Sequence, residues 1–406
     1  MTTFSTEFLG CKVSMTDAQQ VRERLASDGH REVASGAAEV RVINTCCVTA
    51  EAVAKSRKAA RRAARTADRV IVTGCAAALD GAFDGLPANV SVMHRRSELL
   101  AEAVSSAVGP LACTGASEPR FGRTRAYVKI QDGCWFTCSY CVIPQVRGAS
   151  RSRPAAAVLS EAARRAAQGH RELVLTGVNL GCFRDRDAGI DLAGLLAAVA
   201  SVDGIQRVRL SSIEVNHLSD RLLEAMASTS GVAAHLHVPM QSGSDHVLGA
   251  MRRRYSCARY LERIGRAREL APEVNVTSDV IVGHPAERAE DFERTLEAVR
   301  VAGFTKVHVF PYSPRPGTVD AGDDPVPPEE KRRRSEALRR LSDAQGEAHR
   351  ATKVGRRELL LVKERDGRGY CGDYTPFVVP GAPAGELVAA VGVGLERDAV
   401  AGRLCA

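Results

Sequence analysis

No apolar run in this sequence approaches the ~20 residues that a helix needs to cross a bilayer; the longest stretches, such as Leu195 to Ala200, fall far short. The first thirty residues also lack a basic segment followed by an apolar one. Glu7, Asp17, Gln19 and Gln20 already interrupt the chain there, so no secretory leader is read. Internal repeats and low-complexity tracts are missing beyond Ala/Arg-rich helical stretches. With 406 residues, 45% hydrophobic and 26% charged, the chain is too apolar for a disordered protein and too long for a small disulfide scaffold. These absences point to a soluble, cytoplasmic protein whose thiols stay reduced.

What the chain does have is an excess of cysteine. Twelve reduced cysteines imply metal ligands or reactive thiols. Lys plus Arg number 56 against 48 Asp plus Glu, a formal charge of +8, which suits a polyanionic partner without identifying one.

Residues 1 to about 110 read as β-α-β-α-β: strands over Phe4 to Leu9, Val40 to Asn44 and Arg69 to Thr73, helices over Thr16 to Ser27 and Ala50 to Ala67. That alternation predicts an open parallel sheet. Gly109, Pro110, Gly115, Pro119 and Gly122 mark a linker. From about 123 to 320, six strands are expected at Ala126 to Gln131, Glu172 to Thr176, Arg207 to Ser211, His235 to Met240, Val274 to Val282 and Lys306 to Pro311, with helical patterns between them. Six β-α repeats favour a parallel barrel or partial barrel whose strand-end loops carry the chemistry. A charged helix over Pro328 to Arg350 leads into short runs at Leu359 to Val362, Tyr370 to Cys371, Thr375 to Val379 and Leu387 to Val391. They read as a small antiparallel β module.

The sharpest signal is Gly133-Cys134-Trp135-Phe136-Thr137-Cys138-Ser139-Tyr140-Cys141, three cysteines in CxxxCxxC spacing just after the first strand of the barrel-like block. Three thiolates on one tight loop can hold three irons of a 4Fe-4S cluster and leave the fourth iron open. A structural zinc would want a fourth ligand. Cys11, Cys46 and Cys75 each follow a candidate strand of the first block. The carboxyl ends of neighbouring parallel strands converge on one crevice, so these thiols can form a second triplet; otherwise they are three buried small hydrophobes. Cys47 is left out, because strand alternation points it away from Cys46. Cys113, Cys182, Cys257, Cys371 and Cys405 have no partner spacing.

CxxxCxxC opening a β/α barrel resembles the radical S-adenosylmethionine superfamily, in which the open iron takes the amino and carboxylate groups of S-adenosylmethionine and reductive cleavage yields a 5′-deoxyadenosyl radical. Leu9-Gly10-Cys11-Lys12-Val13, Ile43-Asn44-Thr45-Cys46 and Thr73-Gly74-Cys75 resemble the amino-terminal domain of the methylthiotransferases. The subgroup most similar to this chain is that acting on threonylcarbamoyladenosine in tRNA, through Asn44-Thr45-Cys46-Cys47-Val48-Thr49, Lys55-Ser56-Arg57, Ser211-Ser212-Ile213-Glu214 and His235-Leu236-His237-Val238-Pro239-Met240-Gln241-Ser242-Gly243-Ser244.

The resemblance implies an α/β protein of three parts: an amino-terminal open parallel sheet (1–112), a partial (β/α)6 radical barrel (120–350) and a carboxyl-terminal RNA-binding module of the TRAM type (351–406). It implies two 4Fe-4S clusters, on Cys134, Cys138 and Cys141 and on Cys11, Cys46 and Cys75, with S-adenosylmethionine as cofactor. The reaction implied is methylthio insertion at C2 of an adenine beside the anticodon, with the tRNA anticodon stem-loop and an electron-donor protein as partners. Related enzymes act on isopentenyladenosine in tRNA or on a ribosomal-protein aspartate; a different reading is a non-catalytic iron–sulfur RNA sensor.

Expected S-adenosylmethionine contacts lie at strand ends: Thr176, Gly177 and Asn179, then Ser212 and Glu214, then Gln241 and Ser242, then Ser278 and Asp279. Each alone reads equally well as a cap or turn residue. Where the family commonly has Gly-Phe-Pro-Gly-Glu-Thr, this chain has Gly283-His284-Pro285-Ala286-Glu287-Arg288. Basic runs suited to phosphate are Lys55, Arg57, Lys58, Arg61, Arg62 and Arg65, then Arg252 to Arg254, then Lys331 to Arg334 with Arg339 and Arg340.

Overall fold

A computed structural model describes residues 2–94, 97–109, 124–322 and 324–405. Cys113 and most of the expected linker (Pro110, Gly115, Pro119 and Gly122) lie outside the described residues. The chain divides into two compact units, 1–121 with 132–150 and 313–321, and 122–131 with 151–312 and 322–406.

The first unit is a five-stranded sheet, β1 (Thr3–Phe8), β2 (Arg31–Glu32), β3 (Val40–Thr45), β4 (Arg69–Gly74) and β5 (Val90–Val92), in the order β2-β1-β3-β4-β5 with every pairing parallel. β3 is central and all six of its residues are buried, as expected of a strand covered on both faces. Its two faces take separate cores. Phe4, Val21, Leu25, Val42, Ile71, Leu100 and Val104 pack with α1 (Lys12–Ser27) and α3 (Ser97–Val108). Ile43, Ala59, Ala63, Val70 and Val72 pack with α2 (Ala50–Ala63). Burial of each large apolar side chain contributes about 1.5–3 kcal/mol. α1 begins four residues before the expected Thr16, so Cys11 itself is the N-cap.

The second unit carries six parallel strands in chain order, Arg125–Lys129, Glu172–Thr176, Arg207–Leu210, His235–His237, Asn275–Val282 and Lys306–Pro311. They form two three-stranded sheets, joined by parallel bridges Val208↔Val232 and Ser212↔His237. The helices between them, Ala155–Ala167, Leu192–Ala200, Asp220–Ser228, Cys257–Leu270 and Ala289–Ala302, contribute to one apolar core with the outer strand faces. The partial (β/α)6 barrel is thus present as expected.

The carboxyl-terminal module is a closed five-stranded barrel of Arg357–Val362, Arg368–Tyr370, Pro376–Val378, Leu387–Glu396 and Ala399–Leu404. Four pairings are antiparallel and one, Phe377↔Val400, is parallel. The last strand has no counterpart in the sequence reading, because its Ala- and Gly-rich run lacks β-branched alternation. Its partner also runs five residues past the expected Val391, since Gly392 and Gly394 read as punctuation yet sit within the strand at a register shift. Side-chain atoms at Gly392 would collide with the Lys353 carbonyl, 2.3 Å from its Cβ position.

Candidate functional site

In the first unit the parallel order β1-β3-β4 brings Cys11, Cys46 and Cys75 to one sheet edge. Cys46 and Cys75 directly follow their strands, and Cys11 caps α1, which opens at Lys12 with three residues between it and the end of β1. None of the described cysteines is joined in a disulfide. Burial pushes the Cys46 thiol up to about 11, and Cys11 and Cys75 as neighbouring charges push it the same way. The Val48 amide points at the Cys46 sulfur, 3.5 Å away.

Cys75 goes the other way, down to about 7, because the Cys47 thiol donates to it and the Arg147 guanidinium lies beside it. Cys47 is correspondingly pushed well above the thiol range. It packs into the core with Ala59 and Val72 and is the neighbour of Cys75. Its role was not visible from alternation along one strand.

The CxxxCxxC loop belongs to the same unit. Gly133 has φ +70°, and a Cβ there would lie 2.0 Å from the Ala149 carbonyl oxygen, so only glycine fits. The Cys134 amide donates to the Gly148 carbonyl (3.0 Å) and the Cys141 amide to the Cys138 carbonyl (3.1 Å). The Phe136 amide lies 3.4 Å from the Cys134 sulfur. All three thiols are half-buried, while Trp135 is 66% exposed. The chain then enters the short helix α4 (Ile143–Arg147), and Val142 and Val146 pack into the core that holds Cys47 and Cys75. Two sets of three soft thiolate donors, each with an amide turned toward sulfur, fit iron–sulfur ligation.

In the second unit Thr176 is buried at the end of its strand. Gly177 lies so close to Gln131 that a Cβ would meet the Gln131 carbonyl and side-chain oxygens at 3.0 Å. The Asn179 amide donates to Gln131 Oε1 (2.8 Å). Ser212 pairs with His237, and Glu214 caps the following turn through the Asn216 amide (3.0 Å) while pairing with Arg253 (3.3 Å). Gln241 adopts φ +66°, unusual for a non-glycine residue and costly unless the surroundings hold it. They do: its amide donates to the Asp279 carbonyl (2.8 Å) and its carbonyl accepts from Ile281 (2.9 Å).

Two of the expected contacts have hydroxyls committed to the scaffold. Ser278 donates to the Val238 carbonyl (2.8 Å) and accepts from the Met240 amide (2.9 Å). Ser242 is fully buried against Thr295 (3.3 Å) and the Ser244 amide (3.2 Å). Asp279 faces His237, with Nε2 3.2 Å from Oδ1. His308 joins them, and the ligand atoms of the three residues all lie within 4.8 Å of one another. Thr277 accepts or donates at His237 Nδ1 (2.9 Å), which turns Nε2 toward Asp279. His237 and His308 were absent from the expected contacts. The register Asp279↔His308 and the pairing His237↔Thr277 bring them together, and a single strand pattern does not reveal pairing.

The departing loop is locked from inside. Glu287 accepts from the Gly283 amide and pairs with Arg334 (2.6 Å); burial raises its carboxyl above the usual range.

Several basic residues expected at phosphate are structural instead. Lys331 is buried, donating to the Tyr312 carbonyl (3.1 Å) and pairing with Asp324. Arg57 donates to the Ala82 and Asp84 carbonyls, and Arg253 pairs with Glu214 beneath the Tyr255 ring. Lys55, Lys58, Arg61, Arg62 and Arg65 remain exposed on or just beyond α2.

Residues 128–299 match the Radical SAM superfamily, and residues 3–88 match the uncharacterized protein family UPF0004. The chain is 33% identical over 395 residues to the threonylcarbamoyladenosine tRNA methylthiotransferase of Thermotoga maritima, covering 93% of this chain and 91% of the relative. It is 36% identical to the enzyme of that name in Bacillus subtilis (84% and 81%). It is also 33% identical to the tRNA-2-methylthio-N(6)-dimethylallyladenosine synthase of Sphingopyxis alaskensis (95% and 94%). In fold it resembles the radical S-adenosylmethionine methyltransferase TsrM of Kitasatospora setae, with TM-score 0.56 at 14% identity, covering 79% of this chain and 77% of that one. The match to relatives over nearly its whole length, together with a radical SAM domain behind a separate amino-terminal sheet, places the chain in the radical S-adenosylmethionine methylthiotransferase family.

Proposed function

We propose that this protein is a tRNA methylthiotransferase that replaces the C2 hydrogen of N6-threonylcarbamoyladenosine, beside the anticodon, with a methylthio group. The observation that carries the reading is the pair of cysteine triplets gathered in one unit, one on a sheet edge and one on the loop that opens the barrel. C2–H of an adenine has no acidity for a base to exploit, so polar catalysis is unsuited and a radical is needed. Cys134, Cys138 and Cys141 would hold a 4Fe-4S cluster with S-adenosylmethionine; Cys11, Cys46 and Cys75 would hold a second, offering an open iron for the sulfur to be transferred. When bound, these groups supply the reducing electron, the hydrogen-abstracting adenosyl fragment and the sulfur.

The chain's own residues do the rest. Gly177 admits a close backbone approach, while Thr176, Asn179, Ser212, Glu214 and Gln241 frame the strand ends. His237, Asp279 and His308 offer hydrogen-bonding atoms to a polar ligand. Ser242 and Ser278 are supporting residues in this proposal, holding the fourth strand to its neighbours. The functional division is 1–112, 120–350 and 351–406 in this proposal, with the last segment holding the anticodon stem-loop; the exposed cations of α2, taken by themselves, suit RNA phosphate. Among the described residues no helix is long and apolar enough to cross a membrane, and the cytoplasm, where tRNA and an electron-donor protein are available, is the proposed location.

Nucleoside analysis of tRNA from a deletion strain tests the substrate. Loss of the methylthiolated threonylcarbamoyladenosine, with its unmodified precursor accumulating, is expected. Its persistence alongside loss of the isopentenyladenosine derivative would move the enzyme to the other tRNA subgroup. A non-catalytic sensor would release no 5′-deoxyadenosine from reconstituted protein, dithionite and S-adenosylmethionine.

A further inference from the structure

Arg147 ends α4, six residues beyond Cys141, and its side chain is almost fully buried. Three edges of its guanidinium are used. Nε donates to the Cys75 sulfur at 3.0 Å. Nη1 spans both oxygens of Asp132 at 3.1 and 3.2 Å. Nη2 donates to Asp17 at 2.8 Å. These partners come from separate segments: Cys75 after β4, Asp17 on the helix that Cys11 caps, and Asp132 two residues before Cys134. One planar side chain therefore ties the segment carrying one cysteine triplet to a ligand of the other. Two carboxylates would suffice to satisfy a buried arginine. The third edge, turned onto a ligand sulfur, is what a structural ion pair does not require.

We propose that Arg147 is a positioning residue that sets the reduction potential of the cluster held by Cys11, Cys46 and Cys75, a role that rests on the two-cluster reading above. A hydrogen bond to a ligand sulfur and a cation beside it both favour the state carrying the extra electron, and hydrogen bonds and net charge are among the levers that set such potentials. Asp17 and Asp132 fix the guanidinium in place and oppose its charge. Removing Arg147 therefore lowers the potential, and removing one carboxylate raises it.

The test uses the full chain with Cys134, Cys138 and Cys141 replaced by Ala, reconstituted anaerobically, so that a single cluster remains. This parent is expected to hold about four irons. Adding Arg147→Gln should leave the iron count in place and make the midpoint more negative by at least a tenfold change in the oxidised-to-reduced ratio, about 59 mV for a one-electron couple. Arg147→Lys, which keeps the charge and loses the planar fork, should fall between. Asp17→Asn should shift the midpoint in the positive direction. A parent without iron overturns the two-cluster reading itself. Iron retained with an unmoved potential in Arg147→Gln overturns the proposal, as does a shift of the same sign in Arg147→Gln and Asp17→Asn. Loss of iron from both Arg147 variants, with circular dichroism unchanged, also overturns it by making Arg147 a scaffold residue only.

Discussion

Cys46 and Cys47 are neighbours in sequence with opposite duties, and the distinction lies in what each sulfur faces. Cys46 meets Cys11 and Cys75 at the sheet edge, whereas Cys47 is fully buried in the core and only lends its thiol to Cys75. Cys47→Ala should therefore keep the iron count of reconstituted protein unchanged and cost about 1 kcal/mol in chemical denaturation. Cys75→Ala should lose the iron of one cluster. Gly133 is a stricter position. A Cβ there would sit inside the Ala149 carbonyl contact at a positive φ, so Gly133→Ala should displace the CxxxCxxC loop. The expected readout is loss of the S-adenosylmethionine-dependent 5′-deoxyadenosine signal while the iron of the other triplet remains. The CxxxCxxC spacing was legible because it acts through a few adjacent residues, whereas the need for glycine at 133 comes from the approach of Gly148 and Ala149. Arg147 was not legible, since its partners come from positions 17, 75 and 132.

At the scale of elements, the small β module docks on the barrel strands through buried charge. Glu172 is fully buried and pairs with Arg125 (3.1 Å), Arg207 (3.2 Å) and Arg209 (3.0 Å). Arg209 also donates to the Cys371 and Gly372 carbonyls, Arg207 to the Leu359 carbonyl and Arg125 to the Tyr374 hydroxyl. Glu172→Gln would leave three buried cations without a counter-charge, a loss of about 3–5 kcal/mol visible as an earlier denaturation midpoint. In sequence these residues alternate on their strands and read as ordinary polar positions; only the module resting on them makes them interior.

A second anchor is Asp373, which His349 and Lys353 (2.7 Å) hold well below the usual carboxylate range. The unfolded carboxyl has a pKa near 3.9, so the folded value is the depressed one. Its stabilisation is fully present above about pH 5 and fades as pH falls below that unfolded value. Asp373→Asn should be destabilised at pH 7 and show a flatter loss of stability between about pH 5 and 3 in urea titrations.

Over the whole molecule the +8 charge is not spread evenly among usable residues, because Lys331, Arg334, Arg57 and Arg253 are spent inside the fold. The exposed cations of the α2 region make a narrower footprint. If about six phosphates are contacted, tRNA affinity should fall about 10³-fold between 50 and 200 mM salt. Replacing Lys58, Arg61 and Arg65 together by Ala should reduce the slope of log affinity against log salt by about 2 to 3; an unchanged slope would place the RNA elsewhere. The amino-acid sequence by itself determined the β-α alternation and the CxxxCxxC triplet, because periodicity and close ligand spacing are local properties of a chain; Cys11, Cys46 and Cys75 were legible only through their shared strand-end position and the family resemblance. Tertiary structure alone decided which charges are interior, that His237 and His308 converge on Asp279, and that Arg147 reaches Cys75, because those pairings depend on strand register and burial across long sequence separations.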